Sequence, residues 1–218
     1  MAKASKRQIA RMLIERFPEG YADRLHVQVG RNTPSALFQW LIASLLFSAR
    51  ISSDAAEQAA AALFAQGWRT PKKMAATTRS QRVKVLNRAG YARYDESTSR
   101  YIGDTTALLL DCYGGDLRRL RDAAERDPER ERALLKQFKG IGEVGADIFF
   151  REAQLAWDEL FPFADDRALK AASKLGLGRD ASDLARVVGH RADLPRLLAG
   201  LVAADRARQL ENVLEAAG

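Results

Sequence analysis

The chain has 218 residues, with 35 Lys and Arg against 28 Asp and Glu for a formal charge of +7, and 47% of its residues are hydrophobic. This composition supplies enough apolar material for a packed core and excludes a disordered or collagen-like chain. One cysteine, Cys112, excludes intrachain disulfides and any cysteine-held zinc or iron–sulfur site, and two histidines leave little for a His-based metal site.

The opening stretch, MAKASKRQIARMLIERF, is basic but lacks the continuous apolar region of a secretory signal. No run reaches the roughly 18 apolar residues needed to span a bilayer, so a reduced, cytoplasmic setting is expected. The excess positive charge suits an acidic partner, nucleic acid first and acidic lipid second, and equally an ordinary basic surface. Ile9, Met12, Leu13 and Phe17 share one face of a first helix. His26-Val27-Gln28-Val29 is the one strand-like alternation and is too short to found a sheet. Phe38, Leu41, Ile42, Leu45 and Leu46 line a second helix, expected to start near Pro34-Ser35 with Ser35 as its cap. Ser53-Asp54 opens an Ala-rich helix through Phe64, closed by Gly67. Further helices are predicted at about 71–77, 79–88, 97–113, 116–124, 129–138, 143–157, 166–175, 181–189 and 193–215. The fold expected is all-α, without internal repeats. Trp40 and Trp157 fall at core spacing, and the charged stretch 118–136 reads as a solvated helix pair laced with opposite charges.

The segment 134–147 (LLKQFKGIGEVGAD) is the most informative. A helix ends at Phe138, Gly140-Ile141-Gly142 turns sharply, and a new helix begins near Glu143. The two glycines let the backbone turn and approach a partner closely, while Ile141 can point inward and pin the two helices. The first N–H groups of the new helix, with its dipole behind them, suit a phosphate oxygen whatever the base sequence. A plain helix–helix turn uses the same residues, and the segment alone leaves both open.

This segment resembles the helix–hairpin–helix motif. Downstream, Phe161-Pro162-Phe163-Ala164-Asp165-Asp166 runs into a helix that ends in Leu175-Gly176-Leu177. Upstream, Leu41 to Arg50 leads to Ser53-Asp54 and an Ala-rich helix. Hairpin, gap, Asp and Leu-Gly-Leu together are similar to endonuclease III and to the 3-methyladenine glycosylase II branch of the helix–hairpin–helix (HhH-GPD) DNA glycosylase superfamily, over about residues 5–178. The resemblance implies two helical domains with a DNA-binding cleft between them. One would be the contiguous block 31–157 ending in the hairpin, the other 1–30 plus 158–218. It implies base excision from duplex DNA carrying damaged bases or abasic sites, by a monomer associated with the nucleoid. Lys139, Gly140, Ile141, Gly142, Glu143 and Gly145 would form the phosphate contact. Arg50 and Tyr91 fall where the family fills the void and wedges the opposite strand; Arg50 equally suits a phosphate contact or a helix cap, and Tyr91 a core or loop-packing aromatic. The hairpin carbonyls near Phe138 and Gly140 would hold a monovalent cation, Na+ or K+.

Breaking a glycosidic bond passes through an oxocarbenium-like state that an ionised carboxylate can stabilise, or whose attack by water it can assist. Asp165 lies ten residues before Leu175, the family's spacing for its catalytic Asp, and a one-residue shift gives Asp166 the same role. Either residue also suits a simple N-cap. Two departures stand out. The Lys that bifunctional members carry four residues after the first hairpin glycine, where its amine attacks the sugar, is Val144 here. Lys139 and Lys170 do not match that position. The four C-terminal cysteines of a [4Fe–4S] cluster are also missing, so no cluster is expected. These departures imply a monofunctional glycosylase with weak or absent abasic-site lyase activity. The alternatives are a non-catalytic binder of abasic or branched DNA and, more distantly, an RNA- or partner-binding helical domain.

Overall fold

A computed structural model describes residues 4–217 and divides them into two compact units, Leu25–Glu159 and the pair of segments up to Arg24 and from Leu160 onward. In chain order the helices are α1 (Lys6–Arg16), α2 (Tyr21–Arg24), α3 (Pro34–Ser48), α4 (Ser53–Ala65), α5 (Pro71–Ala75), α6 (Arg79–Arg88) and α7 (Asp95–Tyr113). They continue as α8 (Leu117–Ala123), α9 (Pro128–Leu135), α10 (Glu143–Ala153), α11 (Asp166–Lys174), α12 (Ala181–Val188), α13 (Asp193–Arg206) and α14 (Leu210–Ala217). No strand occurs among the described residues; the His26–Val29 alternation leads instead into a single 3-10 turn, Val29–Arg31.

The larger unit is built around α3, whose side chains from Ala36 to Phe47 are all buried. A helix apolar on every face has to be wrapped rather than docked on one side, and α4, α7, α8 and α10 pack around it. Thr33, not Ser35, caps α3: its hydroxyl accepts the Ala36 N–H (3.2 Å), because Pro34 takes the first helical position and leaves the cap to the residue before it. Ser35 donates instead to the Arg69 carbonyl (2.9 Å). Trp40 and Trp157 are core residues, with indole N–H groups donated to the Phe149 carbonyl (3.1 Å) and to Asn32 Oδ1 (3.2 Å).

In the smaller unit α1 crosses α13 at Gly200, where a Cβ would stand 3.2 Å from the Leu13 carbonyl oxygen. Ile9, Leu13, Ala171, Leu175, Leu177, Leu197 and Leu201 form its core. The end of α11 explains Leu-Gly-Leu: Gly176 (φ +68) donates to the Ser173 carbonyl and Leu177 to Ala172 (3.0 Å each), while Leu177 inserts into the core. The tail helix expected over 193–215 is broken at 207–209. Arg208 takes a left-handed conformation (φ +54) there, and the chain restarts as α14.

The charged stretch 118–136 is not all solvated. Glu131 on α9 is wholly buried and no donor reaches either of its carboxylate oxygens. Its polar neighbour is Glu159, which Arg121 grips through two hydrogen bonds of 2.5 Å while lying over the Trp157 ring. Two carboxylates meet there, so one must carry the proton. Burial first, then the contact with Glu159, pushes Glu131 up to about 9. Burial also works to raise Glu159, but the hydrogen bonds from Arg121 and Glu131 outweigh it and hold Glu159 at about 2.

These two shifts act in opposite pH windows. Between the ordinary carboxylate value and about 9 the folded chain keeps a proton on Glu131 that the unfolded chain has lost, so stability falls as pH rises through that range. The stabilisation from ionised Glu159 is present above the ordinary value and is lost as pH falls toward about 2. Glu131→Gln keeps a neutral donor without the proton uptake. Its stability relative to the parent should climb from pH 5 to pH 9, by at most about 1.4 kcal/mol per pH unit. Thermal unfolding across that range checks this, and a pH-independent difference would mean that Glu131 is ionised where it lies.

Candidate nucleic-acid interface

After α9 ends at Leu135, Phe138 enters the core beside the Tyr113 ring (6.3 Å between centroids), and the chain turns at Gly140. Gly140 has φ +86, and Ile141 N–H closes the turn on the Phe138 carbonyl (3.0 Å). A Cβ at Gly140 would stand 3.1 Å from Leu45 Cγ and 3.2 Å from Tyr101 Cδ2. Glycine is therefore required there both by conformation and by space. Two side chains fasten the turn: Ser48 at the end of α3 donates to the Gly140 carbonyl (3.1 Å), and Thr105 on α7 donates to the Lys139 carbonyl (3.0 Å).

Gly142 begins α10 without a side-chain cap, in an extended conformation open to L residues, and a Cβ on it would meet nothing within 4 Å. The helical ladder starts with Ala146 N–H to the Gly142 carbonyl (3.0 Å), so the N–H groups of the first turn precede it. Ile141 is buried (4% exposed) and folds back over Gly145, where a Cβ would lie 3.3 Å from Ile141 Cδ1. The Ile141 side chain thus fixes the turn, and only its backbone is available to a partner. Lys139, Gly140, Gly142, Glu143 and Val144 face outward. Glu143 puts a negative charge at this mouth, but it accepts hydrogen bonds from Lys136 and from Arg132, whose guanidinium also pairs with Asp147 (2.8 Å). The Lys136 bond, followed by the smaller effect of Arg132, holds the Glu143 carboxyl below the usual range.

A groove of about 460 Å³ borders the turn, lined by Gly140, Ser48, Arg50, Tyr94, Thr98 and Tyr101. Arg50 and the hairpin are thus brought together. Tyr91 is not: it is 0% exposed and its hydroxyl donates to the Leu46 carbonyl (3.2 Å), so it cannot wedge a strand. The residue after the Gly90 turn faces the core, and Tyr94, with the Arg93 guanidinium over its ring (5.3 Å), takes the groove side. The signal for Tyr94 and Tyr101 was their i, i+4, i+7 spacing with Thr98, which sets one face along α7.

In the smaller unit Asp165 caps α11. It is 7% exposed, and its Oδ1 accepts the N–H groups of Arg167 and Ala168 (3.2 Å each). Asp166, in the first turn, is exposed, as is Lys170. Among the described residues no group of three His, Cys, Asp or Glu could hold a metal ion, and no helix is long and apolar enough to cross a membrane.

No family model and no curated protein matches the chain. Two solved structures share its architecture. A trapped endonuclease III–DNA covalent intermediate, an estranged-adenine complex, is 20% identical, with a TM-score of 0.56 over 93% of this chain and 87% of that one. A non-covalent endonuclease III–DNA complex is 19% identical, with a TM-score of 0.55 over 92% of this chain and 85% of that one. The fold is that of endonuclease III. Where the resemblance to endonuclease III calls for an amine, this chain presents the isopropyl group of Val144, 60% exposed. The hairpin carbonyls named for a monovalent cation already have one partner each, Ile141 N–H on Phe138 and the Ser48 hydroxyl on Gly140, which leaves each oxygen a second lone pair.

The two hairpin glycines should separate in their tolerance of substitution. Gly140→Ala forces a Cβ into left-handed backbone against Leu45 and should cost about 1–2 kcal/mol or more. Gly142→Ser supplies a good cap in open space and should be neutral or stabilising by a few tenths of a kcal/mol. Chemical denaturation of both variants checks the order.

Proposed function

We propose that the protein is a monofunctional DNA glycosylase of base excision repair, hydrolysing the N-glycosidic bond of a damaged base in duplex DNA. The observation that carries this is the hairpin: an outward-facing turn, fastened from α3 and α7, that aims the uncapped N-terminus of α10 at solvent. Backbone N–H groups with a helix dipole behind them hold a phosphate without reading its base. Arg50 and Tyr94, on the adjoining groove, supply the cation and the ring that an opened duplex needs. That endonuclease III forms complexes with DNA on this fold supports the same partner for this chain.

Asp165 supplies the chemistry. Its carboxylate, set on the N-terminus of α11, stabilises positive charge building on the sugar as the bond to the base breaks. The base leaves with its bonding pair, water adds its oxygen to the anomeric carbon, and the proton that water loses ends on the departed base. Asp166, more exposed on the same turn, is the second candidate for this carboxylate. With Val144 in the amine position, no Schiff base forms from the hairpin and the product is an abasic site. A monovalent cation on the second lone pairs of the Phe138 and Gly140 carbonyls would add charge at the phosphate contact.

One observation favours a second reading, a non-catalytic binder of abasic or branched DNA. Asp165 already serves as a helix cap, which by itself accounts for an Asp there. Asp165→Asn separates the two, because Asn caps nearly as well as Asp but carries no charge. Excision should fall by about 10² or more while affinity for abasic-site duplex and thermal stability hold. The parent should give no borohydride-stable adduct with DNA. Unchanged excision in Asp165→Asn would move the role to Asp166, and an adduct would overturn the monofunctional assignment.

A further inference from the structure

A second concavity of the larger unit, also about 460 Å³, is walled by arginines: Arg118, Arg119, Arg121 and Arg126, with Asp116, Asp122 and Asn32. The hairpin does not contribute to it. Two of these arginines are held in place by carboxylates. Arg118 is clasped by Asp116 through its backbone N–H and its guanidinium (2.7–3.0 Å), and Arg121 by Glu159 above the Trp157 ring. The other two, Arg119 and Arg126, have no ion-pair partner among the described residues. Asn32 is oriented by the indole N–H of Trp157 on its Oδ1, which leaves its amide NH2 as a donor on the same wall.

Left-handed backbone gathers around this concavity, at the end of the Val29–Arg31 turn and of α8. Asn32 (φ +51), Glu125 (φ +56) and Arg126 (φ +57) are three of the five non-glycine residues with left-handed backbone among those described. Asn adopts this conformation readily, while at Glu125 and Arg126 it costs about 1–2 kcal/mol each. Arg119 approaches Gly114 with its Nη1, which a Cβ there would meet at 2.4 Å. Four guanidiniums against Asp116, Asp122 and the Glu159 that holds Arg121 leave one net positive charge, with Arg119 and Arg126 outside any ion pair among the described residues, the chemistry that takes a phosphate oxygen by oxygen.

We propose that this cavity binds a phosphate group, carried either by a free phosphorylated small molecule or by a nucleic-acid strand outside the hairpin contact. The site does not depend on Asp165 or on excision. Inorganic pyrophosphate is the probe, titrated calorimetrically at low salt into the full chain, into Arg126→Gly and into Arg119→Gln/Arg126→Gly. Glycine suits the left-handed backbone at 126, so the variant should keep its fold, and thermal unfolding verifies this. The dissociation constant should rise about tenfold in the single variant and further in the double.

The salt dependence of binding to undamaged duplex separates the two sources. A slope reduced by about 1–2 counterions in the double variant assigns the phosphate to nucleic acid, and an unchanged slope assigns it to a small molecule. Pyrophosphate that fails to bind the parent, or binds parent and double variant alike, overturns the proposal.

Discussion

A fifteen-residue helix with no exposed face between Ala36 and Phe47 can exist in water only if other elements enclose it, and that requirement organises the larger unit. α10 lies directly against α3, and α4, α7 and α8 cover what remains. The last turn of α3 then does more than pack: Ser48 reaches the Gly140 carbonyl and Leu45 floors the space beneath Gly140. The hairpin is therefore not a mobile loop between two helices. It is held from below by the most buried element of the fold, so its N–H groups are aimed before any ligand arrives, and little ordering cost is left for binding.

The same economy appears at α11. A cap residue must present an oxygen to backbone N–H groups, and Asp165 does so with Oδ1. An Asp placed this way is fixed in orientation, nine-tenths shielded from solvent, and set where the helix dipole favours its charge. The structural demand alone accounts for an Asp here, and Asn, which meets that demand without the charge, separates it from the proposed chemical one.

Much of this was legible in the sequence, for definite reasons. Gly140 marks the turn because no other residue accepts φ +86 over Leu45, and Leu175-Gly176-Leu177 marks a helix end because the motif needs glycine between two apolar anchors. Asp165 was legible as a cap. Other features left no local trace. Which side of the Gly90 turn faces the core depends on α3, which takes Tyr91 and leaves the groove to Tyr94. The break at Arg208 carries neither Gly nor Pro. Glu131 sits in a run of charges that reads as solvated, and its polar neighbour Glu159, held by Arg121, comes from outside that run.

In the proposed function the chain excises a base and stops at the abasic site. The most direct measurement incubates the protein with duplexes that each carry one lesion — alkylated purine, oxidised pyrimidine, uracil or a mismatch — and resolves the strands before and after hot alkali. Breaks that appear only after alkali, on at least one lesion, are the predicted result. Breaks present before alkali would contradict the monofunctional assignment, and intact strands on every lesion, with abasic-site duplex still bound, would contradict the enzyme and leave a binder.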